Sequence, residues 1–116
     1  PVCLKSDLEL KGRAIDIYKN IEKLSLIMAQ KIVKMKKIKF FKQNGKVSYF
    51  KRRKKHQSKI DFRKIKNLDK LYDYLRMLDA PGYPHAYAEL KNFRITFKNI
   101  KKTDKSIKAN INIDKI

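Results

Sequence analysis

Apolar residues alternate with mostly polar ones at the start of the chain, with Val2, Leu4, Leu8 and Leu10 at even positions. That period of two predicts a strand over Pro1–Leu10, because successive side chains of a strand point to opposite faces. Gly12 marks a turn. The period then changes: Ala14, Ile17, Tyr18, Ile21, Leu24, Met28, Ile32 and Met35 recur at steps of three and four. This is the stripe of an amphipathic helix about six turns long. Asp16 and Glu22 come early while Lys31, Lys34, Lys36 and Lys37 crowd the end, the order that the helix dipole favours. The stripe is expected to pack on a sheet. A helix lying on a membrane would want a more uniformly basic polar face.

Residues 36–66 carry no clean period. Asn44-Gly45 is a turn signal between Phe40-Phe41 and Val47, Tyr49 and Phe50, and a basic run follows, Lys51-Arg52-Arg53-Lys54-Lys55. This region reads as a linker with one short extended stretch and a boundary near residue 58. Leu68, Leu71, Tyr72, Leu75 and Leu78 then mark a second helix, with Asn67 or Asp69 placed to accept from its first free amides. Ala80-Pro81-Gly82-Tyr83-Pro84 stops it. Three short strands are predicted next, over His85–Leu90, Phe93–Ile100 and Ile107–Ile113, with turns at Asn92 and at Thr103-Asp104-Lys105. The second half is therefore a small α+β module, a helix followed by a short antiparallel meander with one wet face.

Length allows one small domain but is short for an ordinary two-domain enzyme, at 116 residues. The charge is +20, which points first to nucleic acid, an anionic membrane or a polyanionic substrate. Composition tempers this, since 25 of the 31 basic residues are lysine, alongside 14 Ile and 7 Asn. Dedicated phosphate and base readers favour arginine, whose planar fork makes paired contacts, so part of the charge reflects a compositional bias. No apolar run approaches the roughly 20 residues that a membrane-spanning helix needs, and no membrane partner is expected. A single cysteine, Cys3, excludes an internal disulfide and a cysteine-based zinc site and fits a reducing, cytoplasmic setting. The chain begins Pro1-Val2, without an initiator Met or a signal peptide, and is expected to be a fragment of something longer.

The inventory for catalysis is thin. His56 and His85 have no cysteine or carboxylate at metal-ligand spacing, so no metal site is expected. Asp7 and Glu9 share one face of the predicted strand without a partner, and three glycines build no phosphate loop. No catalytic residue is expected in this stretch. Two segments are candidates for binding. The basic run, preceded by Tyr49 and Phe50, could stack a base and hold a phosphate, or could be a solvated linker. In the loop after the second helix, Pro81 and Pro84 fix the exit direction of Tyr83. That suits a side chain covering a ligand, and equally a rigid connection with Tyr83 folded on the core.

The order of these segments is familiar. Val2-Cys3-Leu4-Lys5 followed by Leu8-Glu9-Leu10-Lys11-Gly12-Arg13-Ala14-Ile15-Asp16-Ile17-Tyr18 resembles the late catalytic-domain strand and helix of the folate-dependent formyltransferases. That family includes methionyl-tRNA formyltransferase and the nucleotide-sugar N-formyltransferases. Phe50-Lys51-Arg52-Arg53-Lys54 and Gln57-Ser58-Lys59-Ile60 resemble its linker motif. Leu71-Tyr72-Asp73-Tyr74-Leu75-Arg76-Met77-Leu78-Asp79-Ala80-Pro81-Gly82-Tyr83-Pro84-His85-Ala86-Tyr87 resembles the opening of its C-terminal module, and is the most specific of the three blocks. The resemblance departs where family members usually carry a proline and an acidic residue in place of Lys55 and His56, and an acidic residue in place of Lys59.

The resemblance implies an α/β tail, the last strand and helix of a Rossmann-like formyltransferase domain, followed by the α+β module. Residues 1–37 would end the catalytic domain, 38–57 form the basic linker and 58–116 the C-terminal accessory module. Formyl-tetrahydrofolate would be bound mainly upstream, and the family's catalytic Asn, His and Asp would also precede Pro1. Arg52, Arg53 and Tyr83 are then the expected acceptor-side contacts, guanidinium groups for phosphate and a ring for a base or sugar. The implied acceptor is an amine on a nucleotide-linked amino sugar or on initiator methionyl-tRNA. The module's shortness beside the larger barrel of typical methionyl-tRNA enzymes favours the sugar, the charge favours tRNA, and a homodimer is allowed for. The alternatives are a free-standing basic module binding RNA or another polyanion without catalysis, and a degenerate scaffold with no activity.

Overall fold

The computed structural model describes residues 2–116. The chain divides into two units, one holding the described residues through Lys11 together with Asp16–Arg52, the other Gly12–Ile15 with Arg53–Ile116.

The main element of the first unit is helix α1, Ala14–Val33, which starts where the period of three and four begins and ends two residues before Met35. Asp16 lies in its first turn and Lys31 in its last. Its final carbonyls are met by Lys34 N–H bonding to Gln30 O (3.3 Å) and Met35 N–H to Ile32 O (3.1 Å). Ile21, Leu26, Ile27 and Val33 are exposed.

The strand predicted over Pro1–Leu10 does not form. Residue 1 lies outside the described residues, and only Val2 pairs, exchanging N–H bonds with Phe41 at 2.8 and 2.9 Å in an isolated antiparallel bridge. An extended segment is held as a strand by a ladder to a neighbour, and past Val2 none is present here. The sheet expected under the α1 stripe is likewise absent among the first unit's described residues. No helix of the described residues is long and apolar enough to cross a membrane.

The second unit is built on helix α2, Leu68–Arg76, and strands β1 (Tyr87–Leu90), β2 (Phe93–Lys102) and β3 (Ile107–Lys115). Asn67 is the cap of α2, its side-chain oxygen accepting from Lys70 N–H at 2.9 Å, which satisfies one of the amides a helix start leaves open. The strands form an antiparallel sheet in the order β1-β2-β3, the meander that the alternation predicts. Two short 3₁₀ turns, Lys55–Ser58 and Phe62–Lys64, lead into α2.

Ile60, Leu75, Leu78, Ala86 and Ile100 are buried together, with Leu71, Tyr72, Phe97 and Ile107 packed around them. With so few fully buried side chains, each methyl group counts. Ile60→Val is expected to lower the unit's stability by about 0.5–1.5 kcal/mol in urea melts, the cost of one methyl in a packed core.

The start of α1 belongs to this second unit. Gly12 adopts φ +81°, a conformation without steric cost only for glycine, and its carbonyl accepts from an Arg76 terminal nitrogen at 2.7 Å. Ile15 N–H bonds to Asp79 O at 3.3 Å. Asp79 is itself buried, and its carboxylate accepts from the backbone of β2, from Asn99 N–H at 3.1 Å and Ile100 N–H at 2.8 Å. Those amides lie at a bulge. The β2–β3 register runs regularly to Lys98↔Asn110 and resumes at Lys101↔Lys108, and Asn99 has φ +52°.

Candidate functional site

Ser58 ties the basic run to the proline loop. It is fully buried, and its hydroxyl donates to Pro84 O at 2.8 Å. Next to it, Ile60 N–H bonds to Tyr87 O at 2.7 Å within a short parallel bridge. The Tyr74 hydroxyl of α2 lies 2.8 Å from Gln57 O and 2.9 Å from Lys59 O, and donates to one of them at a time. The end of the linker is thus pinned from both sides by side chains meeting backbone.

Arg53 is held in this frame. Its guanidinium donates to Gln57 O at 2.6 Å and stacks over the Tyr74 ring at 5.4 Å. Arg52 is exposed and is the last residue of the first unit. Tyr83 sits in the turn after α2, where its N–H bonds to Ala80 O at 3.2 Å, and it is partly exposed rather than folded into the core. Tyr49 and Phe50 are almost fully exposed, 93% each, so neither ring is spent on packing.

A pocket of about 480 Å³ opens on the polar face of the sheet, lined from the linker by Lys55 and His56, from the loop by Pro84 and His85, and from the strands by residues including Tyr87, Arg94 and Lys98. The Arg94 guanidinium lies over the Tyr87 ring, 4.5 Å from its centroid, and donates to Glu89 Oε1 at 2.9 Å. Glu89 also binds Lys59, and these two cations, Lys59 foremost, hold its carboxyl below the usual carboxylate range. Reading the sequence missed this pocket. The residues come from three separate segments, and the only local sign of them was the polar set of positions on the meander. Among the described residues no three His, Cys, Asp or Glu side chains gather to hold a metal ion.

The comparisons with known proteins bear on the same region. The family model of the methionyl-tRNA formyltransferase C-terminal domain matches residues 55–114. A solved structure of methionyl-tRNA formyltransferase from Clostridium thermocellum is similar to this chain at 33% identity and a TM-score of 0.87. The match covers 97% of this chain and 49% of that one, so the chain spans about half the length of this relative. No curated protein matches the chain.

Proposed function

The chain belongs to the methionyl-tRNA formyltransferase family through its C-terminal domain, and from that membership we propose that it is the acceptor-side portion of an enzyme transferring a formyl group to an amine. The observation that carries the reading is the family match over residues 55–114, joined to a structural likeness that continues through residues before it. In the proposed reaction the acceptor amine attacks the formyl carbon of formyl-tetrahydrofolate. A general base takes the amine proton, and donors stabilise the tetrahedral oxyanion. The groups for these steps are assigned upstream of residue 1, with residues 1–37 completing a Rossmann-like catalytic domain and 58–116 forming the accessory module. Formyl-tetrahydrofolate is assigned mainly to the same upstream part.

For the acceptor, methionyl-tRNA is the first reading. The names of the matched family model and of the similar solved structure support it, and a +20 chain suits an RNA backbone. A nucleotide-linked amino sugar is the second, favoured by an accessory module of only one helix and an open three-stranded sheet. Arg52 and Arg53 are assigned to acceptor phosphate and Tyr83 to a base or sugar ring.

The test is formyl transfer by the full-length protein to each acceptor. One acceptor is expected to turn over, and Tyr83→Ala to raise its KM about tenfold, the loss of one stacking contact, with an unchanged melting temperature. Unaltered KM and kcat would remove Tyr83 from the acceptor site. Transfer to neither acceptor would sink the enzyme reading. A steep salt dependence of RNA binding would then mark a basic binding module instead.

A further inference from the structure

The pocket on the polar face of the sheet has a charge pattern that its neighbours do not neutralise. Cross-strand register sets Tyr87, Thr96 and Asn112 in one row and Glu89, Arg94 and Asp114 in the next. Of the two carboxylates here, Glu89 is held by cations, while Asp114 keeps its charge in the pocket lining against Lys55, Arg94 and Lys98. Glu89 is shared by Lys59 and Arg94, and the Asn112 amide donates toward both oxygens of Asp114 at 3.0 Å. Lys55 and Lys98 line the same cavity, and among the described residues neither has an acidic partner. The Arg94 Nε is shielded from solvent without a hydrogen-bond partner, so Arg94 would meet a ligand through its terminal nitrogens. His85 Nδ1 sits 3.1 Å from Leu78 O, which fixes the ring and leaves Nε2 for other contacts.

We infer that this pocket is a phosphate site, in which Lys55, Lys98 and Arg94, with His56 and His85 on the wall, hold the oxygens of a phosphate or diphosphate. Cations converging from the linker turn and from β2 match a tetrahedral polyanion better than a single planar carboxylate, which one arginine fork would satisfy. The volume of about 480 Å³ falls in the range of small-molecule sites and exceeds what one phosphate fills. Two sources present this chemistry, a nucleoside diphosphate and an RNA backbone. The inference holds whether or not the protein transfers formyl groups, because it concerns binding alone.

The test is calorimetric titration of the full-length protein with pyrophosphate, a nucleoside diphosphate and a short single-stranded RNA at fixed salt. The comparison pair is Lys55→Ala/Lys98→Ala against Lys101→Ala/Lys108→Ala. The second pair removes the same charge from β2 and β3 outside the pocket lining. The pocket pair is expected to weaken pyrophosphate about a hundredfold or more, two charge-assisted contacts being lost, with an unchanged melting temperature, and the control pair to leave it unchanged. The same loss with the nucleoside diphosphate alone identifies a nucleotide, and with RNA alone an RNA backbone. Equal losses in both pairs would mean diffuse attraction by a basic surface and would overturn the site. So would the absence of pyrophosphate binding by the unaltered protein.

Discussion

Asp79→Ala is expected to cost the second unit about 2–6 kcal/mol, because two backbone amides lose a carboxylate acceptor at about 1–3 kcal/mol each. That is a large part of the stability of any small domain. Asp79 is 4% exposed, and its carboxylate accepts two backbone amides at the β2 bulge, Asn99 N–H and Ile100 N–H. It also faces Arg13 at 3.7 Å and the His85 imidazole at 3.9 Å. Removing it leaves the buried Ile100 amide and the part-buried Asn99 amide unmet. Asp79→Asn keeps one acceptor oxygen and is expected to lose roughly half as much, since one good backbone bond can be remade. Urea unfolding followed by circular dichroism measures both. A loss below about 1 kcal/mol for the alanine variant would show that the bulge amides find other acceptors, and that Asp79 does not hold the β2 bend.

The Asp79 contact shows what a linear reading of this chain can and cannot reach. The strand pattern was legible: Phe93, Ile95 and Phe97 alternate, and β2 forms there. Its next buried residue is Ile100 and not residue 99, a slip of one position that is the sequence signature of a bulge. The alternation predicts a strand ending at Ile100, whereas pairing resumes at Lys101 and continues to Lys102. What the pattern could not show is that an aspartate about twenty residues earlier would supply the acceptor. Such a partnership depends on how α2 returns the chain to the sheet, and no local period carries it.

The N-terminal segment failed in the opposite way. Val2, Leu4, Leu8 and Leu10 alternate as a strand should, yet they form no ladder beyond Val2. Alternation records a wish to be half-buried in a sheet, and a sheet must be there to satisfy it. The helices needed no such partner to be recognised. Both start where the period predicts and end two residues short of its last member, Met35 or Leu78, because their hydrogen bonds are internal and Asn67 caps one of them locally. The candidate site lies between these cases. The arginines stood out as a basic run, but the anchoring of Arg53 by Tyr74 and Gln57 arises from α2 meeting the linker.

That anchoring leads to the largest expected effect on activity. In the full-length protein, assayed for the proposed formyl transfer, Arg52→Ala/Arg53→Ala is expected to lower kcat/KM for the acceptor about a hundredfold or more, with the KM for formyl-tetrahydrofolate unchanged. Charge-assisted contacts are each worth about 1.5–3 kcal/mol, so losing two exceeds two orders of magnitude. Arg53 is preorganised by its ring contact and its 2.6 Å bond to Gln57 O, so little side-chain freedom remains to be lost on binding. The double lysine variant separates charge from shape. If only charge matters it recovers most of the loss, and if the planar fork matters it recovers little. Tyr74→Phe supplies the control for the frame, because it keeps the ring under Arg53 while removing the hydroxyl that meets Gln57 O and Lys59 O. A double alanine variant that stays folded and holds kcat/KM within about threefold, less than a single ordinary hydrogen bond, would place the acceptor elsewhere. The basic run would then be a solvated connection between two units.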